Sequence, residues 1–203
     1  MKSKNIVWQD GHITRETRQD FFGHSAATLW MTGLSGAGKS TLAFATESRL
    51  LSMGIACFVL DGDNVRHGLN RDLGFSPEDR SENIRRVAEV ARLMNEAGLI
   101  VVTSFISPYR EDRELARTII GADRFLEVHM ATPLEVCEQR DVKGLYQRAR
   151  SGEVKEFTGI NSPYEPPLDP ALTVNTQQYD INCSVDMLIE MLKSNIVISN
   201  QQG

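Results

Sequence analysis

A glycine-rich stretch near the start of the chain constrains the fold more than any other feature. It reads Gly33-Leu34-Ser35-Gly36-Ala37-Gly38-Lys39-Ser40 and matches the pattern G-x-x-x-x-G-K-[ST] in full. A run of β-strand character precedes it and a segment of helical period follows, which is the context that a phosphate-binding loop (P-loop) requires. In such a loop, backbone N–H groups surround phosphate oxygens, the lysine contacts the β- and γ-phosphates, and the hydroxyl ligates Mg²⁺. The sequence therefore predicts a nucleoside triphosphate site over 33–41, with Lys39 catalytic, Ser40 a metal ligand and Thr41 at its end.

Apolar runs rich in β-branched residues alternate along the chain with longer segments of helical period. This alternation predicts an α/β protein with the P-loop NTPase fold, in which helices cover both faces of a five-stranded parallel sheet. The predicted strands are Thr28 to Thr32, Ile55 to Leu60, Leu99 to Phe105, Phe125 to Met130 and Leu172 to Asn175. The predicted helices include Lys39 to Met53, closed by Gly54, and Pro77 to Ala97, closed by Gly98. Three further signals predict N-capped helix starts, namely Ser76-Pro77, Ser107-Pro108 and Thr132-Pro133, the last with Glu135 completing a capping box.

Composition sets the scale and disfavours several classes of protein. With 203 residues, 41% of them hydrophobic, the chain suits one domain spanning 1–203 better than two small ones. The net charge of −5 gives no overall basic surface for binding nucleic acid. The sequence contains no uninterrupted run of 18 apolar residues, which a membrane-spanning helix would need. The isolated Cys57, Cys137 and Cys183 lack metal-site spacing and indicate reduced thiols, as expected in the cytoplasm.

Periodicity disappears between Asp141 and Pro170, where glycines, prolines and basic residues accumulate. A structureless segment of this length inside a compact domain is usually functional or disordered. We interpret it as a mobile lid that closes over bound substrate, with a hydrated surface loop as the alternative.

A second set of polar residues follows the second predicted strand. Asp61 and Asp63 come directly after this apolar run, where open α/β sheets bind ligands at the carboxyl ends of their strands. Asp61 can serve as a base for an acceptor hydroxyl or as a Mg²⁺ ligand, and the alternative is a turn in which both aspartates only cap the next element. Arg66, Arg80 and Asn83 follow, and guanidinium groups suit phosphate or sulfate oxygens, although a solvated helix face is an equal alternative for Arg80.

A P-loop alone does not separate kinases from GTPases, ATPases and helicases. The chain has no Asn-Lys-x-Asp guanine-binding motif, which disfavours a GTPase. Its length and the basic segment after the fourth strand favour a small-molecule phosphotransferase that excludes water from the transferred group. Two alternatives stay open, a related nucleotide or shikimate kinase and a non-catalytic module that binds ATP and a partner.

Longer strings resemble the adenylylsulfate kinase family nearly from end to end. They are Asn5-Ile-Val-Trp8, the Gly33 to Ser40 loop with Leu34-Ser35-Gly36, Asp61-Gly-Asp-Asn-Val-Arg66, His67-Gly-Leu-Asn70, Leu73-Gly-Phe-Ser-Pro-Glu-Asp-Arg80, Phe105-Ile-Ser-Pro-Tyr-Arg110, Lys143-Gly-Leu-Tyr146 and Phe157-Thr-Gly-Ile160. These strings are far more specific than the P-loop. The resemblance implies a homodimeric enzyme that uses ATP and Mg²⁺ to phosphorylate the ribose 3′-hydroxyl of adenosine 5′-phosphosulfate.

The resemblance also assigns roles to residues of this sequence. The group implied to hold the phosphosulfate and ribose is Asp63, Arg66, Arg80 and Asn83. Phe75 and Phe157 are implied to stack on the adenine, and Ile106 and Ser107 are implied to line the site. For both phenylalanines the alternative is a buried core position. Lys143 and its neighbour Leu145 are implied to close over the substrates. Ser107 is often labelled a phosphoserine intermediate in this family, but we interpret it as an N-cap before Pro108, since direct transfer from ATP needs no covalent enzyme.

Overall fold

The computed structural model describes residues 5–7, 9 and 11–198, so that Trp8 of the first family string lies outside the described residues. The strands are β1 Thr28–Gly33, β2 Cys57–Asp61, β3 Ile100–Ser104, β4 Phe125–Met130 and β5 Leu172–Val174. The helices are α1 Arg15–Phe22, α2 Lys39–Ser52, α3 Gly62–Arg66, α4 Pro77–Glu96, α5 Arg110–Ile120, α6 Leu134–Arg140, α7 Leu145–Arg150 and α8 Ile181–Asn195. Each predicted strand is found, with its ends within two residues of the prediction.

The strands form one five-stranded parallel sheet, as the sequence predicts, and their order is β2-β3-β1-β4-β5. Thr28 at the start of β1 pairs with Val101 of β3 on one side and with Phe125 of β4 on the other. The chain thus fills one side of β1 with β2 and β3 and then crosses to the other side for β4 and β5. Open α/β sheets bind ligands at the carboxyl end of such a reversal point, and here the glycine-rich loop leaves β1 at that end.

Helices cover both faces of the sheet because successive side chains of β1 point in opposite directions. Leu29 and Met31 join a buried cluster that includes residues of α2 and α8, whereas Trp30 joins a second cluster formed with α4 and α5. All three side chains are fully buried. The prediction of a sheet buried on both faces, with near-continuous apolar strands, is therefore confirmed.

The helix start at Ser76 is confirmed. Its hydroxyl accepts a hydrogen bond from the backbone N–H of Asp79 at 3.2 Å, and Pro77 is the first helical residue of α4. This cap orients the segment that carries Arg80 and Asn83, because both residues lie in the first two turns of α4.

The helix starts predicted at Ser107 and Thr132 are wrong. Helix α5 begins at Arg110 and α6 at Leu134, neither has a side-chain cap, and the capping box with Glu135 does not form. Tertiary partners take both hydroxyls instead. The Thr132 hydroxyl lies 3.3 Å from the Ala37 carbonyl and 2.9 Å from the Thr176 hydroxyl. The Ser107 hydroxyl accepts the indole N–H of Trp30 at 3.3 Å.

None of the helices within the described residues combines the length and apolarity that crossing a bilayer requires. The three cysteines are free thiols, with Cys137 buried, Cys57 partly buried and Cys183 exposed. Burial raises the pKa of Cys57 to about 11 and also raises the pKa of Cys137 above its ordinary value. Both thiols are therefore neutral side chains at physiological pH.

Candidate active site

The glycine-rich loop turns from β1 into α2 at the carboxyl edge of the sheet. Gly36 has a φ of +77°, and a Cβ there would lie 2.8 Å from the Cys137 carbonyl oxygen, so that only glycine fits. Helix α2 begins after Gly38 and has no side-chain hydrogen bond at its N-cap. The N–H groups of its first turn are therefore not taken by a capping side chain, which is the arrangement that binds phosphate.

Lys39 points back across this loop and is 8% exposed. Its Nζ donates to the carbonyl oxygens of Gly33 at 2.9 Å and Leu34 at 2.7 Å. Burial lowers the pKa of Lys39 to about 8, although the carboxylates of Asp61 and Asp63 act in the opposite direction. A buried cation of this kind gains most from an anion that replaces its lost hydration.

Asp61 caps the next helix, as the turn alternative predicted, and it also contacts the glycine-rich loop. Its Oδ1 caps α3 by accepting from the backbone N–H groups of Asp63 at 3.0 Å and Asn64 at 3.4 Å. Its Oδ2 accepts the hydroxyl of Ser40 at 2.7 Å, and that hydroxyl lies 3.1 Å from the hydroxyl of Ser104. Asp61 is 6% exposed, and these hydrogen bonds hold its carboxylate beside the glycine-rich loop.

The oxygens of Ser40 and Asp61 fit a Mg²⁺ ion held jointly with nucleotide phosphates. Mg²⁺ in such sites takes one or two protein oxygens, water and phosphate oxygens. The described residues contain no group of three or more His, Cys, Asp or Glu side chains that could hold a metal ion. In such a site Ser40 would be a protein ligand, and the nucleotide phosphates and water would supply the other ligands.

One cavity of about 740 Å³ brings the predicted nucleotide and acceptor residues together. The predicted nucleotide-site residues that line it are Ser35, Gly36, Gly38, Lys39, Ser40, Thr41 and Asp61. The predicted acceptor residues that line it are Asp63, Arg66, Phe75, Arg80, Asn83, Ile106, Ser107, Lys143, Leu145 and Phe157. Gly33, Leu34 and Ala37 shape the loop from outside the lining. The two sets of side chains therefore line a single space.

Two arginines and an aromatic ring form one wall of this cavity. Arg66 donates to the Gly74 carbonyl at 2.9 Å and lies 4.4 Å from the centre of the Phe75 ring. Arg80 donates to the Phe75 carbonyl at 2.8 Å and to the Thr158 hydroxyl at 3.1 Å. Burial and the neighbouring Arg80 lower the pKa of Arg66, but its guanidinium is still charged at neutral pH. This wall suits an anion beside a planar group.

The two phenylalanines occupy different environments. Phe75 is 62% exposed, whereas Phe157 is 7% exposed and packs edge-on against Tyr146 with ring centres 4.8 Å apart. The core alternative therefore applies in part to Phe157, which joins the larger buried cluster and also lines the cavity. An exposed aromatic ring such as Phe75 is available for stacking on a flat ligand.

Asn83 is held by a second asparagine behind it. Its Oδ1 accepts the side-chain N–H of Asn70 at 3.0 Å, and both residues are buried. Because this bond uses the carbonyl oxygen, the amide nitrogen of Asn83 is left to donate. The residue that lines the cavity thus presents a neutral hydrogen-bond donor beside the two arginines.

The segment 141–170 is not structureless and not a hydrated loop. It contains α7, and Tyr146, Phe157 and Thr158 within it are buried. The Tyr146 hydroxyl donates to the Ser35 carbonyl at 2.8 Å, which joins the segment to the glycine-rich loop. Lys143 forms an ion pair with Asp63 across the cavity. The segment therefore covers the cavity, and its mobility stays a prediction.

Sequence reasoning missed the residues that line the cavity on the side of α8. They are Arg140, Thr176, Tyr179, Asp180, Ile181 and Ser184. Arg140 donates to the Gly36 carbonyl at 3.1 Å and to the Thr176 hydroxyl at 2.8 Å, so that it fastens the glycine-rich loop to the segment after β5. No motif marks these positions. The one available signal concerned Thr176, which follows a strand at the same sheet edge as Ser40 and Asp61.

The sheet order, the glycine-rich nest and the covered cavity together define the class of P-loop kinases. The adenylylsulphate kinase family model matches residues 25–175, and the chain belongs to that family. The adenylyl-sulfate kinase of Shewanella amazonensis is 56% identical over 190 residues, which covers 94% of this chain and 96% of that protein.

Solved structures agree with this assignment. The APS kinase of Mycobacterium tuberculosis, solved in complex with AMPPNP and APS, is 49% identical with a TM-score of 0.80, and the match covers 83% of this chain and 98% of that one. A hexameric APS kinase from Thiobacillus denitrificans is 33% identical with a TM-score of 0.65, and the match covers 85% of this chain and 29% of that one.

Proposed function

We propose that this chain transfers the γ-phosphoryl group of ATP to the 3′-hydroxyl of adenosine 5′-phosphosulfate, giving 3′-phosphoadenylylsulfate and ADP. The observation that carries this proposal is the shared cavity, which is lined both by Lys39 and by the wall that contains Arg66 and Arg80. The family assignment supports the same acceptor.

The residues divide the work of an in-line transfer that needs positioning and charge stabilisation rather than a covalent enzyme. The N–H groups of 33–41 and Lys39 hold the ATP phosphates. Arg66, Arg80 and Asn83 grip the acceptor by its anionic groups and ribose, while Phe75 and Phe157 flank its adenine. When bound through Ser40 and Asp61, Mg²⁺ supplies charge neutralisation at the β- and γ-phosphates.

Asp63, Lys143 and Leu145 complete the proposed acceptor site. The Lys143 to Asp63 ion pair links the covering segment to α3, next to the space for the transferred group. A cover in this position excludes water, which would otherwise compete with the 3′-hydroxyl for the phosphoryl group.

A coupled assay of ADP release tests the proposal directly. We expect turnover with ATP and adenosine 5′-phosphosulfate, and mass spectrometry is expected to identify 3′-phosphoadenylylsulfate in equal amount to ADP. Turnover with shikimate or a simple nucleotide but not with adenosine 5′-phosphosulfate would favour a related small-molecule kinase. Binding of ATP without transfer to any acceptor would favour a non-catalytic module.

Ser107→Ala is expected to retain kcat within about fivefold, since removal of one hydrogen bond typically costs about 1 kcal/mol. The Ser107 hydroxyl is buried and accepts the indole N–H of Trp30, so that it acts in packing rather than as a phosphoryl carrier. Steady-state kinetics and rapid quenching with labelled ATP are the measurements. A trapped phosphoserine that decays at the turnover rate, together with an inactive Ser107→Ala, would establish a covalent route instead.

ATP binding is expected to take up a proton near pH 8. The pKa of Lys39 is about 8 in the folded protein, and bound phosphates raise it by favouring the ammonium. Below pH 7 Lys39 is already charged and uptake vanishes, whereas above pH 8 the affinity for ATP falls by up to about tenfold per pH unit. Calorimetry at pH 7 and pH 8.5, in buffers of different ionisation enthalpy, measures the uptake. The control is Lys193→Met, which removes an exposed lysine of α8 and is expected to leave the proton uptake unchanged.

We also propose a homodimer in the cytoplasm. Helix α2 exposes Phe44 and Leu51 on one face, and the neighbouring edge strand β2 exposes Phe58. An apolar patch beside an unpaired strand edge suits a contact between two copies. Free thiols in all three cysteines support a reducing compartment. Light scattering in solution would decide between a dimer, a monomer and a larger assembly.

A further inference from the structure

A buried arginine outside the cavity joins the acceptor side of the site to the sheet. Arg113 lies on α5, is 3% exposed and does not line the cavity. Its Nε donates to Oε1 of Glu127 on β4 at 2.6 Å. Its two terminal nitrogens donate to the carbonyl oxygens of Ser107 and Glu165, each at 2.7 Å. All three nitrogens of one guanidinium are thus used at three separate parts of the chain.

Ser107 has the unusual backbone that this arginine holds. Its φ is +38°, which lies in the left-handed region that favours glycine. A residue with a Cβ disfavours this region and persists there only when its surroundings impose the conformation, as is common at functional sites. Arg113 donates to the Ser107 carbonyl, and the Thr32 hydroxyl oxygen lies 3.2 Å from the same carbonyl oxygen. The strained residue is therefore held mainly through its carbonyl oxygen.

The strained residue belongs to a loop that connects the two halves of the site. This acceptor loop, 105–108, lines the cavity. The carbonyl of Ile106 accepts the hydroxyl of Thr32 at 2.7 Å and the backbone N–H of Gly33 at 3.4 Å. Gly33 is the first residue of the glycine-rich loop. A shift of the acceptor loop would therefore change the distance between the bound acceptor and the ATP phosphates.

Glu127 makes the burial of Arg113 possible. Glu127 is also buried, and the nearest other cation, Arg117, lies 3.9 Å from its second oxygen. Removal of either partner would leave an uncompensated charge in the interior, whereas replacement of both by apolar side chains is often tolerated. The two residues therefore behave as one unit.

We propose that Arg113, held by Glu127, is a positioning residue for the acceptor nucleotide. It imposes the left-handed conformation of Ser107 and so sets where the acceptor loop places the 3′-hydroxyl, while the ATP site is built by other residues. This inference rests on the proposed function, because it needs adenosine 5′-phosphosulfate as the acceptor.

Arg113→Lys tests the proposal, because lysine keeps the charge but cannot donate to three acceptors in a fixed fork. We expect KM for adenosine 5′-phosphosulfate to rise about tenfold or more, because a displaced acceptor loop loses contacts with the bound nucleotide and each tenfold corresponds to about 1.4 kcal/mol. KM for ATP is expected to stay within about twofold. Arg110→Met is the matched control on the same helix. Arg110 donates to the Pro166 carbonyl at 2.8 Å, next to Glu165, but makes no bond to Ser107.

A spectroscopic readout reports on Ser107 itself. The indole N–H of Trp30 donates to the Ser107 hydroxyl, so that its proton resonance depends on the position of that residue. We expect this resonance to shift in Arg113→Lys and to stay in place in Arg110→Met, with assignment by Trp8→Phe. If Arg113→Lys does not fold, Arg113→Met combined with Glu127→Leu removes both charges, and the same rise in acceptor KM is expected.

Three outcomes are decisive. A rise in acceptor KM alone, with a shifted Trp30 resonance, supports the proposal. An unchanged acceptor KM, or equal rises in both KM values with only a lower melting temperature, would overturn it and leave Arg113 a structural residue. Wild-type protein that turns over no adenosine 5′-phosphosulfate at all would instead refute the proposed function, so that the two failures are distinguishable.

Discussion

Lys39→Met is expected to lower kcat on the order of 10³-fold or more, the scale seen when one charge-stabilising group is removed from an acyl- or phosphoryl-transfer site. Methionine keeps the length and apolar stem of the side chain but lacks the ammonium. In the structure that ammonium donates to the carbonyls of Gly33 and Leu34, at the position where the β- and γ-phosphates bind in a P-loop. No other lysine or arginine of the glycine-rich loop can replace it.

The same substitution is expected to leave stability unchanged or higher. The folded pKa of Lys39 is about 8, below the ordinary 10.5, so that at pH 7 both folded and unfolded chains carry the proton. The folded state then bears the full cost of burying the charge, and this cost is relieved only as pH rises from about 8 toward 10.5. Methionine removes the cost at neutral pH. A melting curve at pH 7 alongside steady-state kinetics separates lost chemistry from lost folding.

Lys193→Met is the matched control for this experiment. Lys193 lies on the exposed face of α8 and pairs only with Glu190 among the described residues. Its loss is expected to change kcat by less than about twofold, as for surface substitutions away from a site. If Lys39→Met kept more than about a tenth of wild-type kcat, the assignment of Lys39 to the phosphate groups would be wrong.

Asp61→Asn is expected to lower kcat on the order of 10²-fold and to raise the Mg²⁺ concentration needed for half-maximal activity. Asparagine has the same shape and can still cap α3, but it carries no charge. The Oδ2 of Asp61 accepts the hydroxyl of Ser40, which is the group that ligates Mg²⁺ in a P-loop. Because both oxygens of Asp61 are engaged in orienting other groups, its main role is expected to be organisation of the metal rather than abstraction of a proton.

Titration with Mg²⁺ distinguishes the two roles of Asp61. Partial recovery of Asp61→Asn at high Mg²⁺ is the expected result, whereas a loss of kcat with unchanged Mg²⁺ dependence would assign Asp61 to proton transfer. Asp186→Asn is the control, since Asp186 is an exposed residue paired with Arg49 on the surface. Retention of full activity by Asp61→Asn would remove Asp61 from the site.

The fold could be predicted from the sequence because local pattern and global architecture agree. Strand β1 is buried on both faces, so that the residues between Thr28 and Thr32 form an unbroken apolar run. Helix α4 has a hydroxyl cap, a proline at its first position and a regular apolar stripe, and it forms as predicted. Ser76 succeeds as a cap because, in the part of the chain that the structure describes, no distant group competes for its hydroxyl.

The two wrong helix starts show where this agreement ends. Ser107 and Thr132 have the same local signal as Ser76, but each sits at the carboxyl edge of the sheet beside other strands. Trp30 and Thr176, distant in sequence, take their hydroxyls. A capping rule compares only neighbouring residues, so that it cannot detect such competition.

The residues of the candidate site could be predicted where a sequence motif contains them. The glycine-rich loop and the acceptor strings identify residues whose types reveal their chemistry, and they do line one cavity. Arg140 and Arg113 escaped because an arginine on a helix is most often a solvated one. Only the folded chain shows that Arg140 binds the Gly36 carbonyl and that Arg113 is buried against Ser107.

A ternary complex with a non-hydrolysable ATP analogue and adenosine 5′-phosphosulfate tests the central claim most directly, through the distance from the γ-phosphorus to the ribose 3′-oxygen. We predict about 3–3.5 Å with in-line geometry. We also predict that Arg66, Arg80 and Asn83 contact the acceptor and that Lys39 contacts the γ-phosphate. An acceptor bound outside the cavity, or a 3′-oxygen turned away from the analogue, would contradict the account.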